Sequence, residues 1–296
     1  MPALPGHALR LVVLCASRSA ALLRTMPATV RATPAAVRAA GLSGEIAPES
    51  TAAALAGEIA PESTAAEIAP ESTAAQIAAV SATLSGVLGN EGTASWDARR
   101  QAARSAVAGD RGDVAHCTDD ELVYGELGVA ALATILDAVG VRRGDAFLDV
   151  GAGDGALVLG AALLHPASLR ASRGVEISRG LVDRSLEHRA RVLADAAAGP
   201  MAPTELLLGD VHAAAAREAV ADSTLAVCFA TTWARSSPRR ELPRLSEALR
   251  VLPAGARVVL VDARFDDPDF FDYGGAFELF CPDTAPSSEA RLYTRR

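Results

Sequence analysis

The sequence predicts an α/β fold, a largely parallel sheet with helices on both faces, behind a low-complexity N-terminal region. Three observations predict it. From residue 127 onward, short apolar runs alternate with longer helical stretches, the pattern of strand–helix–strand crossovers. The run FLDVGAGDGALVLGAAL, beginning at Phe147, reads as a buried strand, a glycine turn and an apolar helix. The first third is Ala-rich and nearly free of aromatics, so the core must come from the remainder. Only 4% of residues are aromatic, so that core is built mainly from Leu, Val and Ala.

Composition divides the chain into four regions. Residues 1–44 hold Arg, Ser and Thr but no Asp or Glu, a transit-peptide composition. That reading implies an organelle, plastid or mitochondrion; a plain disordered tail implies nucleus or cytoplasm, and the run LVVLCAS after Arg10 alternatively suits a short signal-peptide core. LVVLCAS is too short to span a bilayer. Residues 45–93 form an Ala-rich linker in which EIAPESTAA starts at Glu45, Glu58 and Glu67. A proline at a fixed place in each copy prevents one continuous helix, and large apolar side chains are too few to bury a core. A weak helix is expected over 76–88. Residues 94–118 are a helical lead-in, with a helix over 94–107 and Trp96 as its anchor. Residues 119–296 are the folded domain.

Within that domain a helix is expected over 127–139, ended by Gly140, then a strand over 146–150. The helix after the glycine turn stops at Pro166. A second strand covers 174–177, and a helix covers 179–198, ended by Gly199 and Pro200. A third strand covers 205–208, a helix 211–220 and a fourth strand 224–229. A helix over 240–251 precedes a fifth strand at 257–261. Segments 274–282 and 291–295 close the sheet as an antiparallel pair.

Net charge is −8, and all 28 basic residues are arginine. That balance argues against a strongly basic nucleic-acid surface. Cys15, Cys117, Cys228 and Cys281 contain no CxxC pair, so neither a zinc site nor a disulfide framework is expected. Cys228 lies in an apolar strand and reads as a small core residue.

Gly151, Gly153 and Gly155 let the backbone turn sharply at the start of a helix, a natural site for a nucleotide-like ligand. GAGDGA fits the loose dinucleotide fingerprint only if Ala156 replaces the third glycine. Asp149, two residues before the first glycine, either caps the loop or favours a different ligand. A carboxylate there repels a pyrophosphate but suits an ammonium group, such as the one on the methionine half of S-adenosylmethionine. At the end of the second strand, GVEIS places Glu176 where a carboxylate accepts bonds from ribose hydroxyls. After the third, LLLGDV places Asp210 beside a helix start, positioned for an adenine amino group or simply as a helix cap. Three acids at three successive strand ends follow the edge where open α/β sheets bind ligands.

ELVYGEL from Glu121, DVGAGDG from Asp149 and GVEIS from Gly174 together resemble the disruptor-of-telomeric-silencing type of lysine methyltransferase. The resemblance covers roughly residues 119–265. It implies the seven-stranded, Rossmann-like class I methyltransferase sheet and S-adenosyl-L-methionine as cofactor. It implies that Tyr124, Gly125 and Glu126 fold over the methionine end of that cofactor. Asp149, Gly151, Gly153 and Gly155 form its loop, Glu176 takes the ribose, and Asp210 with Val211 takes the adenine. After the fourth strand this chain has CFATTWARS, from Cys228, where the family has an Asn-Asn-Phe type motif. Ala230, Thr231 and Thr232 occupy the asparagine region, with Thr231 left as a hydrogen-bond acceptor and Trp233 near the aromatic.

Phe229, Thr231 and Trp233 are therefore the expected acceptor-side residues, with Phe229, Trp233 and Tyr124 walling an apolar channel. The reaction expected is direct displacement at the sulfonium methyl, which requires alignment and no metal. Three readings follow. One is methyl transfer to a protein lysine; the absence of a basic tract weakens a nucleosome as the partner. Another is a small-molecule or RNA methyltransferase, and the third a cofactor-binding module without turnover. No membrane partner is expected.

Overall fold

The computed structural model describes residues 67–89, 93–110, 122, 125, 127–231, 233, 238–281 and 285–296. Three helices lead in: α1 (Ala74–Leu88), α2 (Thr93–Gly109) and α3 (Val129–Val139). Then come β1 (Asp145–Val150), α4 (Ala156–Leu164), β2 (Leu169–Glu176), α5 (Arg179–Ala194) and β3 (Thr204–Leu208). A 3-10 turn (Ala214–Ala216) runs into α6 (Arg217–Ala221), followed by β4 (Leu225–Phe229), α7 (Pro243–Leu249) and β5 (Arg257–Val261). The hairpin β6 (Phe271–Cys281) and β7 (Ala285–Arg295) completes the sheet. Strand order is β3-β2-β1-β4-β5-β7-β6, with β7 antiparallel to both neighbours and the other pairs parallel. This is the class I methyltransferase sheet.

The apolar runs that predicted the central strands are buried on both faces, as parallel strands must be. Side chains alternate across the sheet. Phe147, Leu225, Val227 and Val259 pack on one face with Leu84 of α1, Leu132 and Leu136 of α3 and Leu159 of α4. Leu148, Ala226, Val258 and Leu260 pack on the other with Val220 of α6 and Leu249 of α7. At the N-terminal ends of the strands, Asp145 accepts from Arg257 at 2.5 Å, and both side chains are buried. The same guanidinium donates to the carbonyls of Val139 and Gly140, which ties β5 to the end of α3.

Several elements depart from the sequence reading. β2 begins at Leu169, not 174, because its first half pairs with β1 despite the polar letters RASR. The helix expected over 211–220 shrinks to the 3-10 turn and α6, since Asp210 accepts from the His212 N–H at 2.9 Å and holds a turn instead. α5 stops at Asp195, which accepts from the Ala197 N–H at 2.9 Å. α7 starts late, at Pro243, because Arg240 is left-handed at φ 56° and Pro243 favours a first helical turn.

The largest departure is in the region read as linker. The third EIAPESTAA copy is folded against the domain. Ala69 N–H donates to Val141 at 2.7 Å, and Arg143 N–H donates to Glu67 at 3.0 Å. Ser72 N–H donates to Asp137 at 3.0 Å, and Thr73 caps α1 by accepting from Gln76 N–H at 3.2 Å. Val80, Leu84, Val87 and Leu88 of α1 then enter the core. The first two copies lie outside the described residues. Among the described residues no helix is long and apolar enough to cross a membrane.

Candidate functional site

The C-terminal edge of the sheet opens into a cleft of about 130 Å³. Strand polarity makes this so. β1, β2 and β3 run parallel, so Asp149, Glu176 and Asp210 arrive at the same edge. Gly151 follows at φ +78°, and a Cβ there would sit 3.0 Å from Trp233 Cζ2. The indole thus rests on a position that only glycine leaves clear. Gly153 (φ +55°) carries the turn on, and Gly155 (φ +87°) caps α4.

Glu176 lines the cleft and braces the glycine loop. Its Oε2 accepts from Gly153 N–H at 2.8 Å and its Oε1 from Ser178 N–H at 2.9 Å. Burial raises this carboxyl, and the backbone donors partly offset that. With Ile177 N–H as a third backbone donor, the carboxylate keeps part of its acceptor capacity for a ligand.

Asp149 is 2% exposed. Among the described residues nothing donates to it. Burial pushes it up to about 8, and the neighbouring Glu176 adds to the rise. It lines a smaller pocket, about 20 Å³, together with Ala152, Asp154, Leu157 and Phe229. This pocket and the cleft share Gly125, Gly151, Gly153 and Phe229.

Asp210 and Val211 line the far side of the cleft, Asp210 also holding the His212 turn. Gly125 lies against the Phe229 ring, whose Cε1 stands 2.8 Å from where a Cβ would be. Tyr124, Glu126 and Thr232 lie outside the described residues. Phe229 and Trp233 line the cleft, but Thr231 does not. Its hydroxyl, expected to accept, instead donates to Asp262 Oδ2 at 2.7 Å.

The structure adds residues that sequence reasoning missed. Ser178 caps α5, and its hydroxyl donates to Asp110 at 2.7 Å. Asp110 also accepts from Gly180 N–H at 2.8 Å and so fixes the end of α2 at the cleft rim, where Val107 lines it. A serine just before a helical run is a legible cap; its partner, 68 residues earlier, is not. Arg244, in the first turn of α7, also lines the cleft. Cys228 is buried, and burial together with Asp149 pushes its thiol up, leaving it inert. Among the described residues no group of three His, Cys, Asp or Glu is placed to hold a metal.

Residues 116–192, about a quarter of the chain, match the family of the histone methylation protein DOT1. The matched segment contains Gly125, Asp149, the three loop glycines and Glu176. It ends before Asp210 and the fourth-strand loop. No curated protein matches the chain. Among solved structures, the chain is similar to magnesium protoporphyrin IX methyltransferase (ChlM) from Synechocystis PCC 6803 with bound SAH. Identity is 14%, covering 57% of this chain and 82% of that one, with a TM-score of 0.40. It is similar also to MtNAS in complex with MTA and tNA, at 14% identity, over 74% of this chain and 71% of that one, with a TM-score of 0.38. The YcgJ protein of Bacillus subtilis aligns at 10% identity, over 56% and 97%, with a TM-score of 0.38. The sheet order is that of the class I fold of S-adenosylmethionine-dependent methyltransferases, and over residues 116–192 the chain is similar to the DOT1 family.

Proposed function

We propose that this protein transfers a methyl group from S-adenosylmethionine to the side-chain amine of a protein lysine. One observation carries the cofactor reading: a carboxyl buried at the glycine loop with no donor among the described residues. Burying such a group is unfavourable unless something pairs with it. The ammonium of the cofactor's methionine half is the partner that Asp149 fits. Glu176 then takes the ribose hydroxyls with its remaining lone pairs, and Asp210 with Val211 takes the adenine.

The bound cofactor supplies a methyl on a positively charged sulfur. The chain's own task is alignment of a neutral amine with that methyl, and exclusion of water. The wall formed by Phe229 and Trp233 disfavours the charged ammonium of an incoming lysine, whose ordinary pKa is about 10.4. The nitrogen lone pair forms the new N–C bond, the S–C bond breaks, and the amine proton leaves to water. The DOT1 match supports lysine as the acceptor, although it ends before this wall.

A second reading rests on Arg244. Its exposed guanidinium lines the cleft, with no acidic partner among the described residues. That cation suits a small acceptor bearing a carboxylate or phosphate. Transfer of labelled methyl separates the two. Label on histone or other protein lysines, unaffected by Arg244→Ala, supports the first. Label on an acidic small-molecule fraction, lost in Arg244→Ala, replaces it with the second. No label anywhere, from a sample that binds S-adenosylmethionine, leaves a binding module and overturns both.

A further inference from the structure

Two non-glycine residues among those described adopt left-handed backbone, Arg240 at φ 56° and Asp262 at φ 59°. They are bonded to each other, Arg240 donating from its guanidinium to the Asp262 carbonyl at 2.9 Å. L-residues avoid this region, and where they occupy it the surroundings must over-determine it. Here they do. Asp262 follows β5. Its Oδ2 accepts from Thr231 Oγ1 at 2.7 Å and from the buried Ser288 Oγ at 3.0 Å. Its Oδ1 accepts from Glu289 N–H at 2.9 Å, and its own N–H donates to the Glu289 carbonyl at 2.8 Å.

The partners come from both sides of the sheet seam. Ser288 and Glu289 belong to β7. Thr231 lies between Phe229 and Trp233, the two side chains that wall the cleft. The other end of the same loop is pinned nearby. Arg264 N–H donates to the Arg240 carbonyl at 2.9 Å, Leu242 N–H to the Arg264 carbonyl at 3.1 Å, and Arg264 to Glu241 at 2.6 Å.

We infer that Asp262 is a positioning residue for methyl transfer: through Thr231 it holds the loop after β4 so that Trp233 stays seated on Gly151. The inference rests on the methyltransferase reading for its catalytic consequence, but not for the clamp itself. Thr231 accordingly acts through hydroxyl donation to Asp262, not by touching the acceptor.

The chain has two tryptophans, Trp96 and Trp233. In a Trp96→Phe background, emission reports Trp233 alone, and S-adenosylhomocysteine serves as the probe. Thr231→Val and Asp262→Asn should each shift Trp233 emission to the red. Both should lower kcat at least tenfold while the S-adenosylhomocysteine Kd changes less than threefold. Thr231→Ser, which keeps the hydroxyl, should restore both the emission and kcat. Unchanged emission and turnover in Thr231→Val would overturn the clamp. Should Asp262→Asn fail to fold, the Val and Ser pair at Thr231 decides alone. A parent protein that binds neither S-adenosylmethionine nor S-adenosylhomocysteine would refute the methyltransferase reading, and the emission shift would still decide the clamp.

Discussion

Occupancy of the cofactor site should expel a proton from Asp149. In the protein alone this carboxyl titrates at about 8, held there by burial and by Glu176. At pH 7 roughly nine molecules in ten therefore carry the proton, against almost none at the ordinary value of about 3.9. An ammonium facing the group favours the carboxylate, so binding below pH 8 has to release that proton. The apparent affinity then falls about tenfold, 1.4 kcal/mol, for each pH unit from 7 downward. Above pH 8 the ligand's own amine begins to neutralise, which closes the window from the other side. Calorimetric titration with S-adenosylhomocysteine at pH 6 and pH 7, in buffers of different ionisation enthalpy, counts the proton directly. Close to one should appear. Asp149→Asn should bind more weakly at pH 7 and lose the proton release that Asp149 contributes, which separates it from any contribution of Glu176. Binding in the parent protein with no proton released and no pH slope would refute the argument. The sign for folding is the reverse of the usual carboxylate case. The folded pKa is raised, so this group's contribution to stability is lost as pH climbs from about 4 to about 8, by at most about 6 kcal/mol.

Four further outcomes are expected. Glu176→Gln turns an amide N–H₂ toward Gly153 N–H or Ser178 N–H, and should weaken S-adenosylhomocysteine binding by about 1.5–3 kcal/mol in the same calorimetric assay. Gly151→Ala places a Cβ 3.0 Å from Trp233 in a left-handed conformation, which should cost about 1–2 kcal/mol and lower Tm by roughly 2–8 °C on thermal unfolding. Arg257→Ala leaves Asp145 buried without its cation and should reduce stability by about 3–5 kcal/mol in urea denaturation. A chain starting at Ala65 should unfold cooperatively, whereas one starting at Ala94 loses four buried side chains of α1. At about 1.5–3 kcal/mol each, that should bring its urea midpoint sharply down; equal midpoints for the two would refute the role of α1.

What was legible in the sequence was what periodicity and local chemistry encode. Phe147 to Gly155 announced a strand, a turn and a helix, because apolar letters and glycines each have a local cause. The strand 257–261 was read at its observed bounds for the same reason, an unbroken apolar run. The start of β2 was not legible. Arg170 and Arg173 look like surface, yet they extend a strand and pair with Asp222 across the sheet end. Left-handed Arg240 and Asp262 were invisible too, since partners on β7 and in the fourth-strand loop hold Asp262, and no local letter marks it. The bond from Thr231 to Asp262 was not legible either. Sequence placed it beside the acceptor by alignment of a motif, while the structure points its hydroxyl to an acid 31 residues away. Proline in EIAPESTAA suggested a linker, and it does stop a helix. It does not stop an extended strip from pairing with Val141 and Arg143.

The three EIAPESTAA copies are identical letter for letter, yet the backbone edge at Val141–Arg143 takes one strip, and Glu67–Ala69 is there. Identity of sequence is thus not identity of constraint. A serine lost from the third copy removes the Ser72 hydroxyl from its place beside His165. Substitution in the third copy should therefore be resisted at the letters that make these bonds. A saturation scan across the three would read the domain's edge directly from tolerance, at a point where composition draws no line.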